Sequence, residues 1–256
     1  MQQVKGVRTP NFNLMDRAFG GSSGGGGDSA LAIEILAQSP DGYWKLNDVS
    51  GGAADSSGNG KNGTEINGTI DYQGIVGPDG GYMGFDGTSY INVASDVAWG
   101  VGGNIQLAVV CLVNFTTTGV TRYPLAKAGD ASTRQWAIAM NGPNGALAAS
   151  YVGSTFQRFS IFDNAFTSGE WSLVIANFTV DDVALFVDSA TQTESSSGGA
   201  GAPTSAGTGP LTFGIDLASP ASPMIGGIAH VAIFPTVRDG TQIAAIHAAA
   251  IADGWI

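Results

Sequence analysis

The sequence predicts an all-β fold: a two-sheet antiparallel sandwich with a short helix ahead of it and a second helix at its end. Three observations carry that prediction. The chain holds 39 glycines in 256 residues without a G-X-Y period, which excludes collagen and supplies many tight turns. From Tyr43 onward, short apolar runs alternate with clusters of Gly, Asn, Asp, Ser and Pro, the pattern of many short strands. With 43% hydrophobic and only 12% charged residues, the chain can bury a full core, and its length is compatible with one large sandwich.

Three segments follow in order. Residues 1–27 read as an extended arm followed by a linker, because Gly20–Gly27 is GGSSGGGG, a composition that behaves as a flexible coil. Lys5, Arg8 and Arg17 against Asp16 give this segment a net charge of +2, which leaves −13 on the rest of a chain whose total is −11. A basic arm on an acidic body is expected to dock on a partner, with Lys5, Arg8, Phe12, Leu14, Met15 and Arg17 as anchoring residues. Residues 28–40 read as a helix: Asp28 is a suitable N-cap for Ser29–Gln38, Leu31, Ile35 and Leu36 form one apolar stripe, and Pro40 stops it.

Residues 41–256 read as the sandwich. Strands are expected over Tyr43–Leu46, Tyr82–Phe85, Tyr90–Val93, Asn104–Phe115, Gln135–Met140, Ala146–Val152, Phe156–Phe162, Trp171–Val180, Val183–Val187, Leu211–Ile215 and Ile228–Phe234. Asn104–Phe115 is apolar enough to lie in mid-sheet, and its Cys111, the only cysteine, reads as a core residue with no disulfide partner. Asp86-Gly87, Asn141-Gly142 and Asn144-Gly145 can supply the positive φ of tight hairpins, and Asp181-Asp182 splits two strands that fit a hairpin. Glu194–Gly209 reads as a long low-complexity loop. At the end, Asp239 and Gln242 have the spacing of a capping box, Ile243, Ile246, Ala250 and Ile251 form an apolar stripe, and Gly254 closes the helix.

Charge and motif content exclude several functions. A net charge of −11 repels a phosphate backbone, so no nucleic-acid partner is expected. The beginning of the sequence lacks the apolar stretch of a secretion signal, and no run of about 18 apolar residues occurs; neither Sec export nor membrane insertion is expected. Only His230 and His247 offer imidazoles, and no HExxH, paired cysteine or Gly-x-Ser-x-Gly is present. A glycosidase needs two carboxylates facing one groove, whereas the acidic residues here sit at turns, so no enzyme and no catalytic residue is expected. Sugar binding needs aromatic platforms beside planar polar groups, and Trp136, Tyr151, Phe156 and Arg158 are the candidates, against a core role for Trp136 and Phe156.

One stretch is more specific. Ile35-Leu36-Ala37-Gln38-Ser39-Pro40, Tyr43-Trp44-Lys45-Leu46 and Asp55-Ser56-Ser57-Gly58-Asn59-Gly60 follow one another, with Phe85-Asp86-Gly87, Gly169-Glu170-Trp171 and Gly226-Gly227-Ile228 further on. In content and order these resemble the laminin-G-like, concanavalin-A-like jelly-roll family, in the form found in bacteriophage minor tail proteins and bacterial surface proteins. The resemblance implies a virion protein assembled in the host cytoplasm, a minor tail or tail-fibre component whose sandwich holds host-surface glycans and whose arm contacts other virion proteins. A capsid decoration or head spike is the alternative, and a free bacterial carbohydrate-binding module the second. Homo-oligomers are expected on the same ground, trimers being common in phage fibres and spikes, although no heptad demonstrates one. Some relatives hold a structural calcium near an acidic pair where this chain has Ala229-His230; Asp55 remains a candidate for an ion, with a plain turn favoured and no cofactor expected.

Overall fold

The structure is a computed structural model. It describes residues 28–256 apart from 69, 74–80, 102–105, 116–118, 143–144, 153–154, 164, 189, 192–193 and 198–206. The arm, with Lys5, Arg8, Phe12, Leu14, Met15 and Arg17, and its linker lie outside the described residues. Among the described residues, alternation of apolar side chains builds sixteen strands, and two helices flank them. The elements are α1 (Ala30–Ala37), β1 (Gly42–Trp44), β2 (Gly63–Ile66), β3 (Asp71–Gln73), β4 (Tyr82–Asp86), β5 (Tyr90–Val93), β6 (Leu107–Phe115), β7 (Arg122–Lys127), β8 (Trp136–Asn141) and β9 (Gly145–Val152). They continue as β10 (Thr155–Phe162), β11 (Trp171–Phe178), β12 (Val183–Val187), β13 (Ala190–Thr191), β14 (Glu194–Ser197), β15 (Leu211–Phe213), β16 (Ile225–Phe234) and α2 (Gly240–Ala252).

The strands form two antiparallel sheets stacked as a jelly-roll sandwich. The first runs β13-β12-β11-β6-β16-β4-β3, with β1 continuing the row of β4 along β16; the second runs β14-β10-β9-β8-β7-β15-β5-β2. In β6, Leu107, Val109, Cys111 and Val113 face the second sheet, while Ala108, Val110 and Leu112 face the helices. Both faces of this strand are therefore buried, which is why it reads as an almost unbroken apolar run.

The helices are held to each other as well as to the sheet. Ser29, not Asp28, caps α1, its hydroxyl accepting from Ala32 N; Asp28 instead pairs with Lys45. The first free amides of α1, on Ala30 and Leu31, donate at 3.0 and 2.7 Å to the carboxylate of Asp253, just past α2. The capping box of Asp239 and Gln242 forms as expected, with both bonds near 3 Å. Leu31, Ile35, Ile243, Ile246 and Ala250 are buried, whereas Ile251, expected in that stripe, is 51% exposed.

Five strands escape the sequence reading: β2, β3, β7, the two-residue β13 and β14. β2 and β3 are four- and three-residue edge elements, too short for a periodic signal, and β14 lies in the stretch read as a loop. β7 contains Pro124, which has no N–H to give the ladder; the pairing with β8 slips between Arg122 and Leu125, and the Pro124 carbonyl accepts from Gly214 N at 2.7 Å. Within β16 the pairing also slips between Ala229 and Ala232, and the bulge puts His230 in the left-handed region at φ 49. Its side chain is fully buried, with Nδ1 2.7 Å from the hydroxyl of Tyr43.

One end of the core is aromatic. Trp44 meets Trp99 and Phe213 edge-on at 5.7 and 5.1 Å, and each indole N–H is satisfied: Trp44 by Lys61 O, Trp99 by Asp41, Trp136 by Trp99 O. Asp55 closes the neighbouring loop. Its carboxylate accepts from Tyr43 N, Lys61 N, and both the amide and hydroxyl of Ser57, at 2.7–3.2 Å. Burial works against that charge, but the donors of Ser57, Lys61 and Tyr43 outweigh it and hold the carboxyl below its usual range. Asp55 is therefore the hub of a turn.

Candidate functional site

The four residues read from the sequence as a sugar platform do not converge. Trp136 has no exposed surface and packs on Phe178 at 5.5 Å in the sandwich core. Tyr151 is 1% exposed, covered by the guanidinium of Arg134, whose carbon lies 3.7 Å from the ring and which pairs with the buried Asp216. Arg158 turns toward the β11–β12 hairpin, its Nε donating to Asp181 O at 2.7 Å. Phe156 pairs with Tyr151 through its backbone, and its side chain is outside the described residues.

A different surface has the required chemistry. The helices cover only part of the outer face of the first sheet, and beyond them one row crosses five strands: Asp71 in β3, Gly84 in β4, Gly227 in β16, Asn114 in β6 and Trp171 in β11. The register aligns each with the next. At about 4.8 Å between strands, the row spans roughly 19 Å. A carboxylate stands at one end, an indole at the other, and between them lie the bare backbone of Gly84 and Gly227 and the amide of Asn114.

The glycines are required by what lies over them. A Cβ on Gly227 would come within 2.8 Å of both the Trp171 and Tyr82 rings, which meet above it at 5.1 Å with planes 70° apart. Gly84 leaves room beside Asp71, since a Cβ there would sit 3.2 Å from that residue's own Cβ. The result is a depression of about 330 Å³ walled by half-buried Tyr82 and Trp171, with Asp71 and Asp86 on its rim. Asp86 accepts from the amides and hydroxyls of Thr88 and Ser89, and these bonds hold its carboxyl far below the usual range.

Trp171 also walls a second depression, of about 540 Å³, which includes Glu170, Asp188, His247, Ile251 and Trp255. Its indole meets that of Trp255 at 5.0 Å and 77°. Asn114 fixes the turn between the two depressions by donating to Gly169 O at 2.8 Å, and Gly169 there has φ 83. Asp188 accepts from Leu173 N at 2.8 Å; burial pushes its carboxyl up, against that bond and one from Ser172. Among the described residues, no Lys or Arg lines either depression, and no group of three or more His, Cys, Asp or Glu is placed to hold a metal ion. Sequence signals for this surface existed: glycines inside strands mark close approach by other groups, and Trp171 opens an apolar strand after a turn.

These features define a two-sheet jelly-roll sandwich with an aromatic groove at one end of its outer face. No protein-family model and no curated protein matches the sequence. Among solved structures, domain 4 of AbnA, a GH43 extracellular arabinanase from Geobacillus stearothermophilus, in complex with arabinotriose, is similar in fold. The TM-score is 0.61 at 17% identity, over 81% of this chain and 98% of that one. The ligand-binding domain of botulinum neurotoxin serotype D in complex with N-acetylneuraminic acid is similar at TM-score 0.60 and 13% identity, over 86% of this chain. The serotype D binding domain on its own gives 0.62 at 13% identity. The chain spans about half the length of these toxin domains, with 52% and 53% covered.

Proposed function

We propose that the protein is a glycan-binding module without catalytic activity, carried on a bacteriophage particle as a minor tail or tail-fibre component. The observation that carries the glycan reading is the row Asp71–Gly84–Gly227–Asn114–Trp171, which sets an aromatic wall, an amide and a carboxylate along one open floor. Sugar rings offer C–H faces to aromatic walls and hydroxyls to planar polar groups, and a shallow polar-rimmed groove suits them. Two fold neighbours whose complexes hold arabinotriose and N-acetylneuraminic acid support the same reading. Binding is favoured over catalysis because the carboxylate of Asp86 is occupied by four donors of its own turn. The virion placement rests on the resemblance of the sequence motifs to those of phage minor tail proteins and on the charge contrast between arm and body.

The test is glycan-array screening of the full chain, followed by titration of hits against Trp171→Ala and Asp71→Ala. The second substitution touches only an exposed rim residue. Both should weaken binding at least tenfold while the near-UV spectrum of Asp71→Ala stays that of wild type. A chain that binds no glycan, or binds one equally after both substitutions, overturns the reading. For the virion placement, deleting residues 1–27 should abolish incorporation into particles; a protein that never co-purifies with particles leaves a free module.

A further inference from the structure

The two depressions share one wall, the indole of Trp171, and their rims carry charge of one sign. Asp71 and Asp86 border the first, Glu170 and Asp188 the second; His247 is the one imidazole in either lining. Asp71, Asp86 and Glu170 are exposed, so their charges face whatever enters. The rest of the molecule adds to the same field, with a total charge of −11. The linings also differ: backbone glycines and Asn114 dominate the first, while Ile251, Trp255 and Ile256 make the second more apolar.

Resting on the glycan reading above, we propose that the two depressions are adjacent subsites of one groove straddling Trp171, and that it selects an oligosaccharide carrying free amino groups, ranking neutral sugars second and carboxylated sugars last. Each part follows from geometry and charge. A ring packed on either side of one indole belongs to a ligand of at least two sugars, so a monosaccharide uses only half the groove. An ammonium finds carboxylates on both sides of Trp171 and, among the described residues, no Lys or Arg in the walls. A uronate or sialate carboxyl meets like charge on the rims of both depressions, which costs affinity and slows encounter. Each exposed pair contributes little alone, so discrimination between amine-bearing and carboxylated ligands of equal length is on the order of tenfold, and it shrinks as salt screens it.

The full chain is titrated calorimetrically with three matched sets: partly deacetylated and fully acetylated N-acetylglucosamine oligomers, and galacturonate oligomers, each from one to four sugars. The expected order is deacetylated, then acetylated, then galacturonate, with a rise in affinity from one sugar to two or three. Glu170→Lys reverses one rim charge at an exposed position and should narrow or invert the order without changing the thermal midpoint. The indole should report occupancy from either side, since Trp171 emission shifts with ligand. If no oligomer of any class binds, the glycan reading itself has failed. If oligomers bind with equal affinity across the three sets, or galacturonates bind tightest, the selectivity inference falls and the glycan reading stands. If one sugar binds as well as three, the shared groove falls.

Discussion

Lys127 stands on the inner face of β7 between Trp136 and Leu211, with no exposed surface, and its ammonium donates to Gly209 O at 2.7 Å. Burial pulls its pKa down from the ordinary 10.5 to about 8, with Asp96 opposing. Below that value both folded and unfolded chains carry the proton, and the folded state bears the cost of a buried charge, about 3 kcal/mol at 1.36 kcal/mol per tenfold change in proton affinity. Between about 8 and 10.5 the unfolded chain binds more protons, so stability rises with pH, by about 2 kcal/mol between roughly pH 7 and pH 9.5. Lys127→Met keeps the stem and removes the charge while losing a hydrogen bond worth about 1 kcal/mol. The variant should therefore be about 2 kcal/mol more stable than wild type near pH 7 and close to parity near pH 9.5. Urea unfolding of both proteins at both pH values measures this, and the difference between them cancels the titration of every other group. A difference that does not change with pH would refute the buried-charge argument.

Burial also holds the imidazole of His230 down at about 3, with Asp253 acting the other way, so the folded state resists protonation that the unfolded chain accepts below its ordinary 6.5. Stability should fall as pH drops from 6.5 toward 3, and His230→Asn, which tolerates the left-handed backbone, should flatten that limb in an acid titration followed by circular dichroism. Gly227→Ala should push Trp171 and Tyr82 apart, at a cost of about 1–3 kcal/mol in thermal unfolding, and weaken glycan binding more than a surface alanine elsewhere. Asp55→Ala orphans four donors and should cost about 3 kcal/mol, read as a lower melting midpoint. A chelator should leave the wild-type midpoint where it is; a drop would make Asp55 an ion ligand after all.

Long-range architecture was legible where a local pattern carried it. The doubly apolar run of β6 predicted a central strand, and Asp239 with Gln242 predicted the start of α2, because both signals are contained in a few consecutive residues. Short edges such as β2 and β3 were not, since they exist only through their pairing with β5 and β4. The groove was illegible for a related reason: its floor draws one residue from each of five strands, from Asp71 to Gly227, and only register brings them into line. The four aromatic and cationic residues first selected were chosen from neighbouring strands of the other sheet. There, the period of two and the loop beyond β15 place Trp136 inward and Tyr151 beneath Arg134.

The sulfur of Cys111 gives this sandwich an internal clock. It sits in β6, between β11 and β16, with no surface open to solvent, and burial raises its pKa so that the reactive thiolate is suppressed. A maleimide can reach it only when the middle strand of the first sheet parts from both neighbours, an opening that requires the whole domain to come apart. Labelling speed in dilute denaturant therefore times global unfolding through the native chain's single thiol.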